Sequence, residues 1–197
     1  DQEVLKLLSS TSAEISQGEV LQLQNNGEID MLEETYLKII SSKTASLFAA
    51  ATKVGAILSN QENKVKDALE FYGKNLGLTF QIADDTLDYN SELKLFGKDI
   101  GNDFFEGKVT LPIILLNQKA NVNEKKDIKN CFLSHERSES DFKSILGLIK
   151  KYDIINHCYL KAEYFIGLSS NSLSIFADTK EKEILKKLTS FSLERNF

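Results

Sequence analysis

Apolar side chains return every three to four residues along nearly the whole chain, and no segment alternates strictly between apolar and polar, so the pattern predicts helices and no sheet. Leu5, Leu8, Ile15 and Leu23 place a first amphipathic helix over the opening two dozen residues, ending near Asn25, Asn26 and Gly27. Tyr36, Ile40, Leu47 and Ala51 mark the buried face of a second, running from about Met31 to Leu58. Lys43 and Thr44 lie along that face, and a lysine there must reach water or meet an anion, because an unpaired buried charge is costly. Val65, Leu69, Tyr72, Leu76, Phe80, Ala83 and Leu87 carry a third helix from Glu62 to Tyr89.

The pattern then breaks. SELKLFGKDIGNDFFEGK mixes three glycines with both charges and reads as a long ordered loop or a broken pair of short helices. Helicity resumes at Thr110, a cap preceding Pro112 in the first turn, with IILL as core behind it. Further helices are expected near 124–134, 139–151, 153–170 and 180–195. No repeat or low-complexity tract interrupts them.

Composition sharpens this to an all-α chain forming a single domain over residues 1–197, since 42% of residues are hydrophobic, 27% are charged, and Pro112 is the sole proline. A net charge of −5 argues against a nucleic-acid partner, which clustered Lys and Arg would hold. No apolar run approaches the roughly 20 residues of a transmembrane segment. Cys131 and Cys158 lack metal-ligand spacing and read as buried thiols in a reducing, cytoplasmic setting.

The candidate chemistry sits at the end of the third helix. In DDTLD, Asp84 and Asp88 share a helical face, Asp85 adjoins them, and Gln81 lies about one turn earlier. Like charges so spaced repel, and their apolar neighbours offer no neutralising partner, so a cation is expected. Carboxylate oxygens favour magnesium, which keeps several waters and shares its shell with phosphate. An isolated DDxxD also reads as a solvated acidic face. The loop that follows adds Lys98, Lys108, Asp99 and Asp103 among glycines, a combination suited to a diphosphate, although either lysine alone also fits a solvated turn. His135 and His157 belong to no motif, and Phe48, Phe71 and Phe80 read as core.

Four segments in this order, GEVLQL at Gly18–Leu23, YLKIISSKTASLF at Tyr36–Phe48, FQIADDTLDY at Phe80–Tyr89 and GKDIGNDFFEGKVTLPII at Gly97–Ile114, resemble the C-terminal half of trans-polyprenyl diphosphate synthases, with a flavour of octaprenyl diphosphate synthases. The resemblance implies the isoprenoid synthase type of helical bundle, here without its N-terminal helices, assembled as a homodimer. It implies Mg2+-dependent condensation of isopentenyl diphosphate with an allylic diphosphate, towards a quinone side chain. By carry-over, Asp84 and Asp88 hold magnesium, Asp85 supports the site, and Asp103 stands in the outer shell. Lys43, Lys98 and Lys108 grip the allylic diphosphate, while Thr44 and Gln81 lie beside the reacting carbons. Gln22 either joins helices or touches substrate. The family's first aspartate-rich motif has no counterpart in this chain, which leaves half a site and two readings: part of an active synthase whose N-terminal segment is elsewhere, or a non-catalytic helical subunit or interaction module that keeps the fold.

Overall fold

The computed structural model describes residues 1–90, 100–134 and 136–193. Helices follow one another as α1 (Gln2–Gln24), α2 (Glu33–Ile40), a π-helical turn (Ser41–Ala45), α3 (Ser46–Leu58), α4 (Asn63–Leu87), α5 (Asn102–Glu106), α6 (Leu111–Lys119), α7 (Val122–Leu133), α8 (Glu139–Lys151), α9 (Ile154–Ser172), a 3-10 turn (Leu173–Ile175) and α10 (Lys180–Phe191). There is no strand among the described residues.

The starts obey local chemistry. Asp1 caps α1 by accepting from the amides of Glu3 and Val4, and Asn121 and Ser138 open α7 and α8 with reciprocal capping boxes that involve Glu124 and Asp141. Pro112 stands in the first turn of α6, where no hydrogen bond is lost. Thr110 precedes it as expected, but its side chain makes no capping bond.

α4 is the central rod, packed against α3 on one side and α9 on another. A large core joins Ile82 to Leu111, Ile113, Phe104, Phe142, Ile154 and Cys158, and a smaller cluster gathers around Tyr72, Leu76 and Leu173. Cys131, expected to be buried, is only partly so.

Two expected faces are rotated. The stretch Glu33–Leu58 is one helical rod, but the π turn inserts an extra residue at its middle and shifts the phase beyond it. Tyr36 and Ile40 are therefore buried as expected, whereas Leu47 is 53% exposed and Ala45, Ala49, Ala50, Ala56 and Ile57 take the inward positions. On α1 the inward residues are Thr11 and Gly18, and Leu5, Leu8 and Leu23 face outward. Close approach explains the choice of small residues. A Cβ on Gly18 would stand 2.7 Å from the Lys43 backbone nitrogen, and one on Gly77 of α4 would stand 2.6 Å from Ala45 Cα, so two bare backbones clamp the π turn from opposite sides.

Candidate functional site

The π turn, the last turns of α4, the segment after α5 and the end of α1 enclose a cavity of about 150 Å3. Lys43 and Thr44 enter from the π turn, Gln81, Asp84 and Asp85 from α4, Asp103 and Lys108 from α5 and the turn after it, and Gln22 and Asn25 from α1. Eight residues singled out from the sequence, Gln22 among them, are thus brought to one place.

Both lysines meet acceptors there. Lys43 Nζ lies 2.7 Å from Glu19 and donates at 2.6 Å to Gln22 Oε1, so Gln22 joins helices and lines the cavity at once. Lys108 Nζ lies 2.6 Å from Glu106 and 3.5 Å from Asp103. Burial pulls the Lys108 ammonium down, but Glu106 and Asp103 outweigh it and hold its pKa above the ordinary lysine value. Each cation is already poised beside oxygens, with room for an anion to compete.

A continuous hydrogen-bonded line runs from the core to the cavity. The Tyr36 hydroxyl donates to Asp85 Oδ2 at 2.6 Å, Gln81 Nε2 donates to Asp85 Oδ1 at 2.8 Å, and Thr44 Oγ1 donates to Gln81 Oε1 at 2.8 Å. Burial, with Asp103 nearby, pushes the Asp85 carboxyl up to about 7 despite those donors. Asp103 is pushed up to about 6 by burial and by Asp88, against the pull of Lys108. The Tyr36 hydroxyl is driven well above its usual range by burial and by Asp85.

Asp88, in the same acidic motif, also organises the segment that follows. Its carboxylate accepts from the backbone amides of Gly101, Asn102 and Asp103 at 2.9–3.1 Å, capping α5 from 14 residues away. Burial raises its pKa, and these three amides oppose the rise. α5 is closed at both ends by left-handed glycines, Gly101 and Gly107. The Gly107 turn is gripped by Arg137, whose guanidinium donates to the carbonyls of Phe105 (3.3 Å) and Phe132 (2.9 Å) and lies where a Gly107 Cβ would project. This turn aims Lys108 at the cavity.

Whether the donors suit magnesium is a question of their number. Asp84 is exposed at the cavity wall, and among the described residues no three metal-ligating side chains converge to cage an ion. The carboxylate oxygens that line the cavity, from Asp84, Asp85 and Asp103, are of the type a hard cation takes, with water and phosphate oxygens completing its shell.

Other expected residues fall elsewhere. Lys98, Asp99 and His135 lie outside the described residues. Phe48 and Phe80 stack at 5.3 Å, half-buried, whereas Phe71, read as core, is 46% exposed on the outer face of α4. His157 meets Lys119 at 2.6 Å on α9. Tyr36, Glu19 and Asn25 were not flagged as site residues by the sequence. A tyrosine at a buried helical position is indistinguishable from core until its hydroxyl partner is seen.

The sequence profile of the family described as Polyprenyl synthetase matches residues 1–149. The chain is 32% identical over 192 residues to the all-trans-nonaprenyl-diphosphate synthase (geranyl-diphosphate specific) of Rhodobacter capsulatus, covering 98% of this chain and 58% of that protein. It is 31% identical over 193 residues to the octaprenyl diphosphate synthase of Escherichia coli K12, with 98% and 59% covered. Among solved structures, a polyprenyl synthase from Caulobacter crescentus CB15, complexed with calcium and isoprenyl diphosphate, superposes with a TM-score of 0.94 at 34% identity, covering all of this chain and 60% of that one. A decaprenyl diphosphate synthase from Rhodobacter capsulatus superposes with a TM-score of 0.93 at 33% identity, with 99% and 60% covered. The chain therefore spans about 60% of the length of these relatives and has the isoprenoid synthase helical fold. On this sequence match and this superposition, the chain belongs to the polyprenyl synthetase family.

Proposed function

We propose that this chain supplies the second aspartate-rich half of a prenyltransferase site, in a polyprenyl diphosphate synthase that extends an allylic diphosphate with isopentenyl diphosphate. The observation that carries the reading is one cavity where Lys43 and Lys108 converge with Asp84 and Asp103 beside the Thr44–Gln81 pair. We further propose an octaprenyl product for a quinone side chain, a homodimeric assembly and a cytoplasmic location, on the likeness to octaprenyl diphosphate synthases.

In this reading the C–O bond of the allylic diphosphate breaks and its electron pair leaves with the diphosphate. Lys43 and Lys108 exchange their present carboxylate neighbours for diphosphate oxygens and stabilise the charge that gathers there. Asp84 and Asp88 would hold magnesium, with Asp85 supporting the site and Asp103 in the outer shell, and the ion would supply Lewis-acid stabilisation of the same leaving group. Thr44 and Gln81 turn oxygen atoms towards the developing allylic cation. The alkene of isopentenyl diphosphate then forms the new C–C bond, and loss of a proton restores a double bond.

The test is incorporation of labelled isopentenyl diphosphate with farnesyl diphosphate, using this chain and the full-length polypeptide. Incorporation that requires magnesium and falls about 100- to 1,000-fold on Lys43→Ala is expected, the scale of losing one preorganised charge-stabilising contact. A full-length protein that neither incorporates the label nor binds diphosphate with magnesium overturns the reading in favour of a non-catalytic helical subunit.

A further inference from the structure

We infer that Tyr36, acting through Asp85, is a positioning residue that fixes the Gln81 amide so that its carbonyl oxygen, and not its nitrogen, is presented to the cavity beside Thr44. The inference rests on the prenyl-transfer reading above and adds to it a residue to which the sequence reading gave no role in the site.

Donor directions settle the orientation. Tyr36 hydroxyl hydrogen goes to Asp85 Oδ2 at 2.6 Å. Asp85 Oδ1 takes a hydrogen from Gln81 Nε2 at 2.8 Å, and the amide oxygen at the other side takes one from Thr44 Oγ1 at 2.8 Å. With Asp85 ionised, turning the amide over would set its oxygen against the carboxylate, two acceptors facing each other, and would point its N–H group at Thr44. Tyr36 is 2% exposed and Asp85 5%, so bulk water does not substitute for either partner. An amide oxygen holding one hydrogen bond keeps a second lone pair, and that lone pair is what an electron-poor carbon beside Thr44 would meet. An N–H there would oppose the same charge. Tyr36 stands on α2, before the π turn that carries Thr44, so the two ends of the line are set by one continuous rod.

The experiment compares wild type, Tyr36→Phe, Gln81→Ala and the double variant in the full-length polypeptide, with two probes. One is inorganic diphosphate with magnesium. The other is an allylic diphosphate analogue bearing an ammonium nitrogen in place of the cationic carbon. Tyr36→Phe is expected to leave diphosphate affinity unchanged, to weaken the ammonium analogue about tenfold, the scale of one net hydrogen bond, and to have no further effect once Gln81 is alanine. Tyr36→Leu, which likewise removes the hydroxyl while keeping an apolar side chain in the buried position, is expected to give the same selective loss and serves if the phenylalanine variant fails to fold. Equal losses on both probes, or losses that add to those of Gln81→Ala, overturn the inference while leaving the prenyl-transfer reading intact. A wild type that binds neither probe overturns both.

Discussion

Two carboxylates in this molecule each accept a tyrosine hydroxyl at 2.6 Å and are driven in opposite directions. Glu124, at the start of α7, also takes Lys151 at 2.6 Å and the Asn121 amide, and the Lys151 and Tyr152 contacts lower its pKa to about 2. Asp85, at the end of α4, has Tyr36 and Gln81 but no cation paired with it among the described residues, and burial raises it to about 7. The contacts are alike, and a positive partner with access to water makes the difference. Around Glu124 the charge is answered within the chain, by Lys151 from the end of α8 and by the cap that Glu124 itself helps to form. Around Asp85 the acidic groups are gathered, with burial and mutual repulsion raising Asp85 and Asp103 and Lys108 only partly offsetting the rise at Asp103, the state expected of a site completed by a cation and an anion from outside.

The sharpest break between these regions is with pH. The folded-state values of Asp85, about 7, and Asp103, about 6, lie above the ordinary 3.8, so the folded chain binds protons more tightly than the unfolded chain between them. Their stabilisation is full below about pH 4 and is lost as pH rises to 7, on the order of 4 kcal/mol for Asp85. Glu124 has the reverse sign: its contribution is present above pH 4.5 and is lost only as pH falls towards 2. Denaturation by urea from pH 4 to 8 in a chelator is therefore expected to show stability falling with pH, and Asp85→Asn to flatten most of that slope. A stability that rises over this range would erase the contrast drawn here.

Glycine substitutions give the next largest separation. A Cβ at Gly77 would stand 2.6 Å from Ala45 Cα, a backbone atom of the π turn that cannot yield without moving Lys43 and Thr44. Gly77→Ala is expected to destabilise by about 1–3 kcal/mol and to weaken magnesium-dependent diphosphate binding as well. In α8, a Cβ at Gly147 meets nothing within 4 Å. Gly147→Ala is expected to stabilise by roughly 0.5–1 kcal/mol, through helix propensity alone. Equal effects of the two, measured by urea denaturation, would mean that the π turn is not held by this contact.

The same contrast explains what could be read in advance. The helices of the C-terminal portion were legible from their period, with Pro112 where a helix tolerates it, while the reciprocal caps at Asn121 and Ser138 emerge only in the structure. Lys43, Thr44, Gln81, Asp84, Asp85, Asp103 and Lys108 were legible because an acidic helix end followed by a charged, glycine-rich loop is conspicuous and because their segments resemble a known family, and they do meet in one cavity. The π turn was not, since SSKTA contains no breaker and an inserted residue leaves no mark on composition. Its phase shift is why Leu47 was assigned inward and found outside. The role of Tyr36 was hidden for another reason. Its aromatic ring satisfies the core pattern, and only the 49-residue-distant partner of its hydroxyl separates it from an ordinary buried tyrosine.

The smallest expected effect tests whether the two regions are independent. Asn121 accepts from the amides of Asn123 and Glu124 at 3.0 Å, and Glu124 returns the bond to the Asn121 amide at 2.9 Å. Asn121→Ala leaves the first-turn amides of α7 to water and is expected to cost about 1 kcal/mol, read as a shift in the urea midpoint. Glu124 keeps Lys151 and Tyr152, so the link from α7 to the end of α8 survives. Diphosphate binding should be unchanged, because nothing in the cap touches the cavity walls. A tenfold fall in that binding would instead couple the cap to the Lys108 turn, through α7 to the Phe132 carbonyl that Arg137 holds.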